Sequence, residues 1–68
     1  MTSIAEEIDK IIEDLEAQGN TILNVEVQIL SALKRKIIII YKTPDGTINT
    51  IEKCYIYTDV NQLVEVQC

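Results

Sequence analysis

The apolar residues of this chain change their spacing at Gly19, and that change limits the fold more than any other feature. Before Gly19 they recur every three or four residues, as they do on one side of an α-helix. After Gly19, β-branched residues alternate with polar ones or form short runs, as they do in β-strands. The sequence therefore predicts an α+β fold, with an N-terminal acidic amphipathic helix packed on a small antiparallel sheet of three to four strands.

The helix is predicted over residues 4–18. Ser3 followed by Glu6 matches a capping box, and Gly19 can adopt the left-handed conformation that ends a helix. Six acids against Lys10 alone give residues 1–18 a net charge of −5, whereas five acids and five basic residues cancel in residues 19–68. The apolar stripe consists of Ile4, Ile8, Ile11, Ile12 and Leu15.

Residues 22–33 fit either a strand or a second helix. Val25, Val27 and Ile29 alternate with polar residues, as in a half-buried strand, but the segment also places apolar residues on one side of a helix. Because β-branched residues favour strands, we interpret the first part as a strand and expect a loop over residues 31–36. The second helix stays the alternative.

Three further strands are predicted over residues 37–42, 47–58 and 63–68. Four consecutive isoleucines at residues 37–40 predict a central strand that is covered on both faces, with flanking lysines that oppose aggregation. A Pro-Asp-Gly sequence predicts the turn that follows, and a second turn is expected at residues 59–61. The alternation breaks within the next strand, so we expect a bulge or bend near residues 50–53.

Cys54 and Cys68 lie 14 residues apart, and a bond between them would contribute about 3 kcal/mol. The N-terminus shows no basic segment followed by an apolar one, so we predict a cytoplasmic location, where thiols stay reduced. We therefore expect a buried Cys54 and a free terminal thiol. The longest apolar run, residues 37–41, is far too short to span a bilayer, so we expect no membrane partner.

The composition argues against an enzyme. The chain has no histidine, the side chain best suited to proton transfer near neutral pH. Both glycines are assigned to turns, so there is no phosphate-binding loop, and two cysteines without histidine make neither a usual zinc site nor a nucleophile with its base. We predict no catalytic residue, no cofactor and no metal.

Two charged clusters are candidates for binding. An acidic helix side could imitate a nucleic-acid backbone and inhibit a nucleic-acid enzyme, as inhibitors of the anti-defence type do. One helix cannot provide the six to eight oxygens that calcium requires, so this side is not predicted to bind metal. A basic cluster could contact phosphate. The acidic residues are Glu6, Asp9, Glu13 and Glu16, and the basic ones are Lys34, Arg35 and Lys36.

The size of the chain favours association. A core of 68 residues is near the lower limit for independent stability, so we expect a homodimer or a protein partner. The leading interpretation is a small non-enzymatic regulatory or interaction module that acts by protein binding. The alternatives are the acidic nucleic-acid mimic and a weak nucleic-acid binder that uses the basic cluster.

Residues 29–58 resemble a truncated WYL domain, the Sm/SH3-like module of bacterial transcriptional regulators and defence-associated proteins. The resemblance implies a barrel-like fold and a regulatory role, and it favours the helical alternative for residues 25–33. At the place of the Trp-Tyr-Leu motif stands Asn61-Gln62-Leu63, and residues 47–53 contain no counterpart of the family's ligand-binding arginines. The stretch that carries the resemblance is Ile29-Leu30-Ser31-Ala32-Leu33-Lys34-Arg35-Lys36, then residues 37–41, then Lys42-Thr43-Pro44-Asp45-Gly46.

Overall fold

A computed structural model of the chain describes residues 3–60 and 62–68. The strands form one antiparallel sheet in the order β1-β2-β3-β4, and the helix packs on one face of it. This confirms the prediction of a small α+β fold with one helix on an antiparallel sheet. The elements are α1 (Ile4–Ala17), β1 (Thr21–Ile29), β2 (Lys34–Lys42), β3 (Ile48–Tyr57) and β4 (Leu63–Val66).

Helix α1 begins and ends at the residues whose chemistry predicts it. The Ser3 hydroxyl accepts a hydrogen bond from the Glu6 N–H at 3.2 Å, which satisfies one free donor of the first turn. Gly19 follows the helix with φ at 89°, and its N–H donates to the Glu16 carbonyl at 3.0 Å. A Cβ at this glycine would lie 3.2 Å from Pro44 Cγ, so the end of α1 lies close to the turn between β2 and β3.

Residues 21–29 form a strand, and the helical alternative for this segment is wrong. β1 pairs with β2 from Thr21 opposite Lys42 to Ile29 opposite Arg35, with an irregularity between Ile22 and Asn24 that makes Leu23 a bulge. The connecting loop is shorter than predicted, because β2 begins at Lys34 rather than at residue 37. The Leu30 N–H donates to the Lys34 carbonyl at 3.0 Å and closes this hairpin.

The core lies between α1 and the sheet. Ile37 and Ile39 of β2 are fully buried beneath Ile11 and Leu15 of α1, together with Tyr55 of β3. The next residues of β2 alternate to the other face, and both Ile38 and Ile40 are only half-buried there. The prediction of a strand covered on both faces was therefore wrong, because one helix covers one face of a sheet.

β3 is regular, so the predicted bulge near residues 50–53 is wrong. Its register against β2 runs without a shift from Ile48 opposite Lys42 to Ile56 opposite Lys34. The strand stays regular because one of the isoleucines that break the alternation is left exposed to solvent. This residue is Ile48, which lies on the face away from α1 and is 63% exposed. The predicted Pro-Asp-Gly turn precedes β3, with the Gly46 N–H donating to the Thr43 carbonyl at 2.9 Å.

Cys54 and Cys68 form a disulfide with a Cα–Cα distance of 5.2 Å. The expectation of a free terminal thiol was wrong. It rested on the assumption of a reducing compartment, and the spacing of two cysteines in the sequence does not show whether they lie close together in the fold. The last strand ends at Val66 instead of residue 68. A hydrogen bond from the Thr58 N–H to the Gln62 carbonyl at 2.8 Å closes the preceding turn, in which Asn61 lies outside the described residues.

Candidate protein-binding edge

Exposed large apolar side chains concentrate in one short stretch of the chain. Of the nine such residues in the described ranges, six lie within residues 23–33, and the others lie apart from them at Ile48, Val60 and Val64. Single exposed apolar residues are normal in soluble proteins, whereas a contiguous group marks a candidate interaction site. The six are Leu23, Val25, Val27, Ile29, Leu30 and Leu33.

This group is exposed because α1 does not reach it. A helix of 14 residues is about 21 Å long, and α1 lies over the core residues of β2 and β3. Among the partly buried hydrophobic residues that pack against this core, Ile22 is the one on β1. Val25 and Val27 pair with the buried Ile39 and Ile37, so they lie on the helix side of the sheet, yet they are 36% and 39% exposed. Farther along, Ile29 is 73% exposed.

The backbone of the same three residues faces away from the sheet. The Leu30 N–H donates to β2, and in an antiparallel pair the residues that bond across the strands alternate with those that do not. The N–H and C=O groups of Val25, Val27 and Ile29 therefore point outward, where they can pair with an additional strand. We call these three residues, with Leu30 and Leu33 beside them, the β1 edge.

Arg35 fixes the loop that forms one end of the β1 edge. Its Nη1 donates to the carbonyl oxygens of Ser31 at 2.8 Å, Lys34 at 3.1 Å and Ala32 at 3.3 Å. The guanidinium carbon also lies 5.7 Å from the centre of the Tyr57 ring, within the range of a cation–π interaction. These contacts tie the Arg35 side chain to residues 31, 32 and 34 of the hairpin.

The structure does not bring the predicted basic cluster together. Arg35 pairs with Ile29 on the helix side, whereas Lys34 and Lys36 alternate to the opposite face of β2. There, Lys36 Nζ lies 3.4 Å from Glu52 Oε1. A phosphate group could therefore not contact all three basic side chains on one face of the sheet.

The structure does bring the predicted acidic residues together. Glu6, Asp9, Glu13 and Glu16 are all exposed, and their spacing of three or four residues places them along one side of α1. The one basic residue of α1, Lys10, pairs instead with Glu7 at 3.6 Å. The result is a row of four solvated carboxylates.

Titratable groups with shifted pKa values lie outside the β1 edge. Burial raises the pKa of Tyr55 above its ordinary value of 10.0, and the carboxylates of Glu65 and Glu7 add to the shift. In the turn before β3, the hydroxyl of Thr43 and the backbone N–H of Thr47 donate to the Asp45 carboxylate and lower its pKa. Both shifts belong to structural contacts of the fold.

Little else in the described residues is shaped for a ligand. A shallow depression of about 450 Å³ is lined by residues of β3, β4 and the C-terminal segment, and it is open to solvent. Residues 3–60 and 62–68 contain no group of three histidine, cysteine or acidic side chains arranged to hold a metal ion. No helix in those ranges combines the length and the apolar character needed to cross a membrane.

No protein-family model, no curated protein and no solved structure matches this chain. The resemblance to WYL domains therefore stays a prediction. A closed barrel of the Sm/SH3 type, which that resemblance implies, would pair the two outer strands, and β1 and β4 do not pair within the described ranges.

Sequence reasoning identified β1 as a strand but missed its exposure. The alternation of Val25, Val27 and Ile29 with polar residues predicts that these three side chains are buried on one face of a half-buried strand. The signal that could have shown otherwise is a comparison of sizes: a stripe of five apolar residues on a helix of 14 residues is too small to cover one face of four strands.

Proposed function

We propose that this protein is a small non-enzymatic interaction module with a regulatory role, and that it binds a protein strand along its β1 edge. The observation that carries the proposal is that β1, nine residues long, is an outer strand whose apolar row on the helix side is only partly covered. Such a strand offers both free backbone groups and apolar side chains to an added strand.

The chemistry of strand addition defines the kind of partner. Backbone hydrogen bonds to Val25, Val27 and Ile29 would provide affinity, and the alternating side chains would provide specificity. The partner strand therefore carries apolar residues at alternate positions on the side that faces α1. Glu26 and Gln28 lie on the other side of β1, where polar partner residues fit.

The acidic side of α1 supports a second candidate function, mimicry of a nucleic acid. Four exposed carboxylates in one row could enter a basic groove on a nucleic-acid enzyme, with association accelerated by charge. A solvated acidic helix side is also ordinary protein surface, so this candidate ranks second. Direct nucleic-acid binding ranks third, because Arg35 lies on the opposite face of β2 from Lys34 and Lys36.

Three sets of variants in the native host separate these candidates. The first is Val27→Lys, which adds a charge at the centre of the β1 edge, with Thr50→Lys on the far face of the sheet as its control. The second reverses the charge of Glu6, Asp9 and Glu13. The third replaces Lys34 and Lys36 by Glu. Each variant carries the same affinity tag, and the measured quantity is the amount of cross-linked partner.

Binding at the β1 edge predicts that Val27→Lys alone abolishes cross-linking, whereas the Thr50→Lys control and the other sets retain it. Loss with the acidic reversals alone supports mimicry and contradicts the proposal. Loss with the lysine replacements alone, accompanied by steep salt dependence, supports nucleic-acid binding. Circular dichroism of each purified variant confirms that it is folded.

The proposal includes the predicted cytoplasmic location, and in that compartment the Cys54–Cys68 bond of the structure would be reduced to two thiols. Disulfides persist in oxidising compartments and are rare in the cytosol. Alkylation of the protein in intact cells, followed by mass measurement, counts the free thiols. Two free thiols support the cytoplasmic location, and an intact Cys54–Cys68 bond contradicts it.

A further inference from the structure

We propose that the partner strand at the β1 edge is β1 of a second copy of this chain, paired antiparallel about a two-fold axis that passes between the two Val27 residues. This inference rests on the proposed function, since it names the occupant of the same edge. Three features of β1 support a second copy: its outward backbone groups, the position of its single charge, and the symmetry with which two identical strands can pair.

Symmetry and backbone geometry leave few registers. In a two-fold antiparallel pair, residues that face each other exchange two hydrogen bonds only if their N–H and C=O groups point across the interface. On β1 those residues are Val25, Val27 and Ile29. Counted over residues 21–29, the three registers with the longest overlap place Val25 opposite Val25, Val25 opposite Val27, or Val27 opposite Val27.

Glu26 excludes the middle register. If Val25 lies opposite Val27, Glu26 lies opposite Glu26 at a position without backbone hydrogen bonds, where the two Cα atoms are only about 4.5 Å apart. Like charges in that arrangement destabilise a sheet. β1 carries no basic residue that could compensate for them.

The bulge disfavours the register centred on Val25. In that register Leu23 lies opposite Val27, so pairing runs into the irregular part of β1 between Ile22 and Asn24. The bulged residue does not present its backbone groups in the regular alternation, so hydrogen bonds on both sides of the axis are lost.

The register centred on Val27 satisfies every condition. Val27 lies opposite Val27 and Val25 lies opposite Ile29, which gives three pairs that each exchange two backbone hydrogen bonds. Glu26 lies opposite Gln28, whose amide can donate to the carboxylate. The paired stretch covers residues 24–30, all of which lie beyond the bulge.

The resulting dimer is a continuous sheet with both helices on the same face. A two-fold axis perpendicular to the sheet keeps the helix side of each copy on one side, so the partly covered rows of the two β1 strands become neighbours. Val25 of one copy then packs beside Ile29 of the other, and these are the side chains that α1 leaves exposed. A strand pair of this length is a small interface, so we expect a reversible dimer.

Sedimentation velocity tests whether a second copy of the chain occupies the β1 edge. The purified protein is measured from low micromolar to near-millimolar concentration. The wild-type protein is expected to shift from monomer to dimer. Val27→Lys places two ammonium groups at the axis and is expected to weaken the dimer by at least about tenfold. The control variant Thr50→Lys, which adds the same charge on the far face, is expected to dimerise as the wild-type does.

Oxidative cross-linking tests the register and does not depend on the lysine variant. Val25→Cys, Val27→Cys and Ile29→Cys each add one thiol to a protein whose own cysteines already form a disulfide. Copper phenanthroline is expected to link Val27→Cys to itself, and to link Val25→Cys to Ile29→Cys in a mixture of the two. Self-linking of Val25→Cys without that of Val27→Cys would overturn the register.

The two proposals fail in different ways. A protein that sediments as a monomer at every concentration, with no cross-linking of any cysteine variant, overturns the second copy as the occupant. If Val27→Lys still abolishes capture of a different protein in cells, the β1 edge remains a binding site. If the purified protein dimerises through Val27 and capture of a different protein is unaffected by Val27→Lys, the second copy stands as the occupant and binding of that other protein at the β1 edge is contradicted.

Discussion

The two outer strands of the sheet differ in length and in the way the neighbouring chain secures them. β1 has nine residues and presents an apolar row that is only partly covered. β4 has four residues, and the segment that follows it is tied to β3 by the disulfide. Proteins protect outer strands by shortening, charging or covering them. One edge of this protein is protected and the other is available, which is why we assign binding to β1.

Removing the disulfide is expected to produce the largest effect and to act on the β4 side. Cys68→Ser eliminates a bond that closes a loop of 14 residues, so the free energy of unfolding is expected to fall by about 3 kcal/mol. Urea unfolding with and without reductant measures this loss. The variant should be insensitive to reductant, and the outward amides of Val25, Val27 and Ile29 should exchange rapidly at low protein concentration, as in the wild-type protein. An unchanged midpoint would show that the disulfide does not secure β4.

One added charge on each outer strand tests whether the two edges differ in self-association. Val64→Lys, on the exposed face of β4, is expected to leave self-association unchanged, because β4 is too short to extend the sheet. Val27→Lys is expected to weaken it by at least about tenfold, equivalent to 1.4 kcal/mol. Equal weakening by the two variants would contradict the difference between the edges.

Loosening the loop beside β1 is expected to have a smaller effect. Arg35→Lys loses most of the hydrogen bonds to three carbonyl groups and the cation–π contact with Tyr57. The free energy of unfolding is therefore expected to fall by about 1 kcal/mol. The amide of Leu30, which closes the hairpin, should exchange faster. Lys42→Arg at the other end of β2 is the control. An unchanged exchange rate at Leu30 would show that Arg35 does not order the loop.

The smallest effect is expected at alkaline pH. Burial, with Glu65 and Glu7, raises the pKa of Tyr55 above 10.0 in the folded protein. As the pH rises, the unfolded chain therefore loses the Tyr55 proton before the folded protein does. The contribution of this group to the free energy of unfolding is fully present below pH 10.0 and is lost as the pH rises through the pKa of the folded protein.

Urea midpoints from neutral pH to above pH 10.0 measure this decline. Tyr55 lies opposite Glu65, so the decline reports on the β4 side of the sheet. Tyr55→Phe is the control and should show a shallower decline than the wild-type protein. Identical pH profiles would contradict this role of Tyr55.

Local sequence patterns were enough to predict the helix, the antiparallel strands that follow it and one turn. Ser3 and Gly19 mark the ends of α1, and the Pro-Asp-Gly turn lies where its residues predict it. Three other expectations failed for reasons that involve distant residues. The regular register of β3 depends on its pairing with β2, the disulfide depends on Cys68 reaching Cys54, and the burial of Ile38 depends on the number of covering elements.

The candidate sites show the same difference between features that local patterns determine and features that depend on distant residues. The acidic row on α1 was predictable because a helix places residues at fixed spacing on one side. The separation of Arg35 from Lys34 and Lys36 could not be predicted while residues 31–36 were taken for a loop, since alternation applies only within a strand. The β1 edge required knowing where α1 ends relative to Val25, which depends on tertiary packing.

Amide hydrogen exchange at Val25, Val27 and Ile29, measured at low and at high protein concentration, tests most directly whether the β1 edge binds a second copy. At low concentration these outward amides have no partner in the sheet and should exchange rapidly. At high concentration all three should become protected, while the exchange of Val64 on β4 stays the same. Rapid exchange of the three β1 amides at every concentration would contradict the assignment of β1 as the pairing edge.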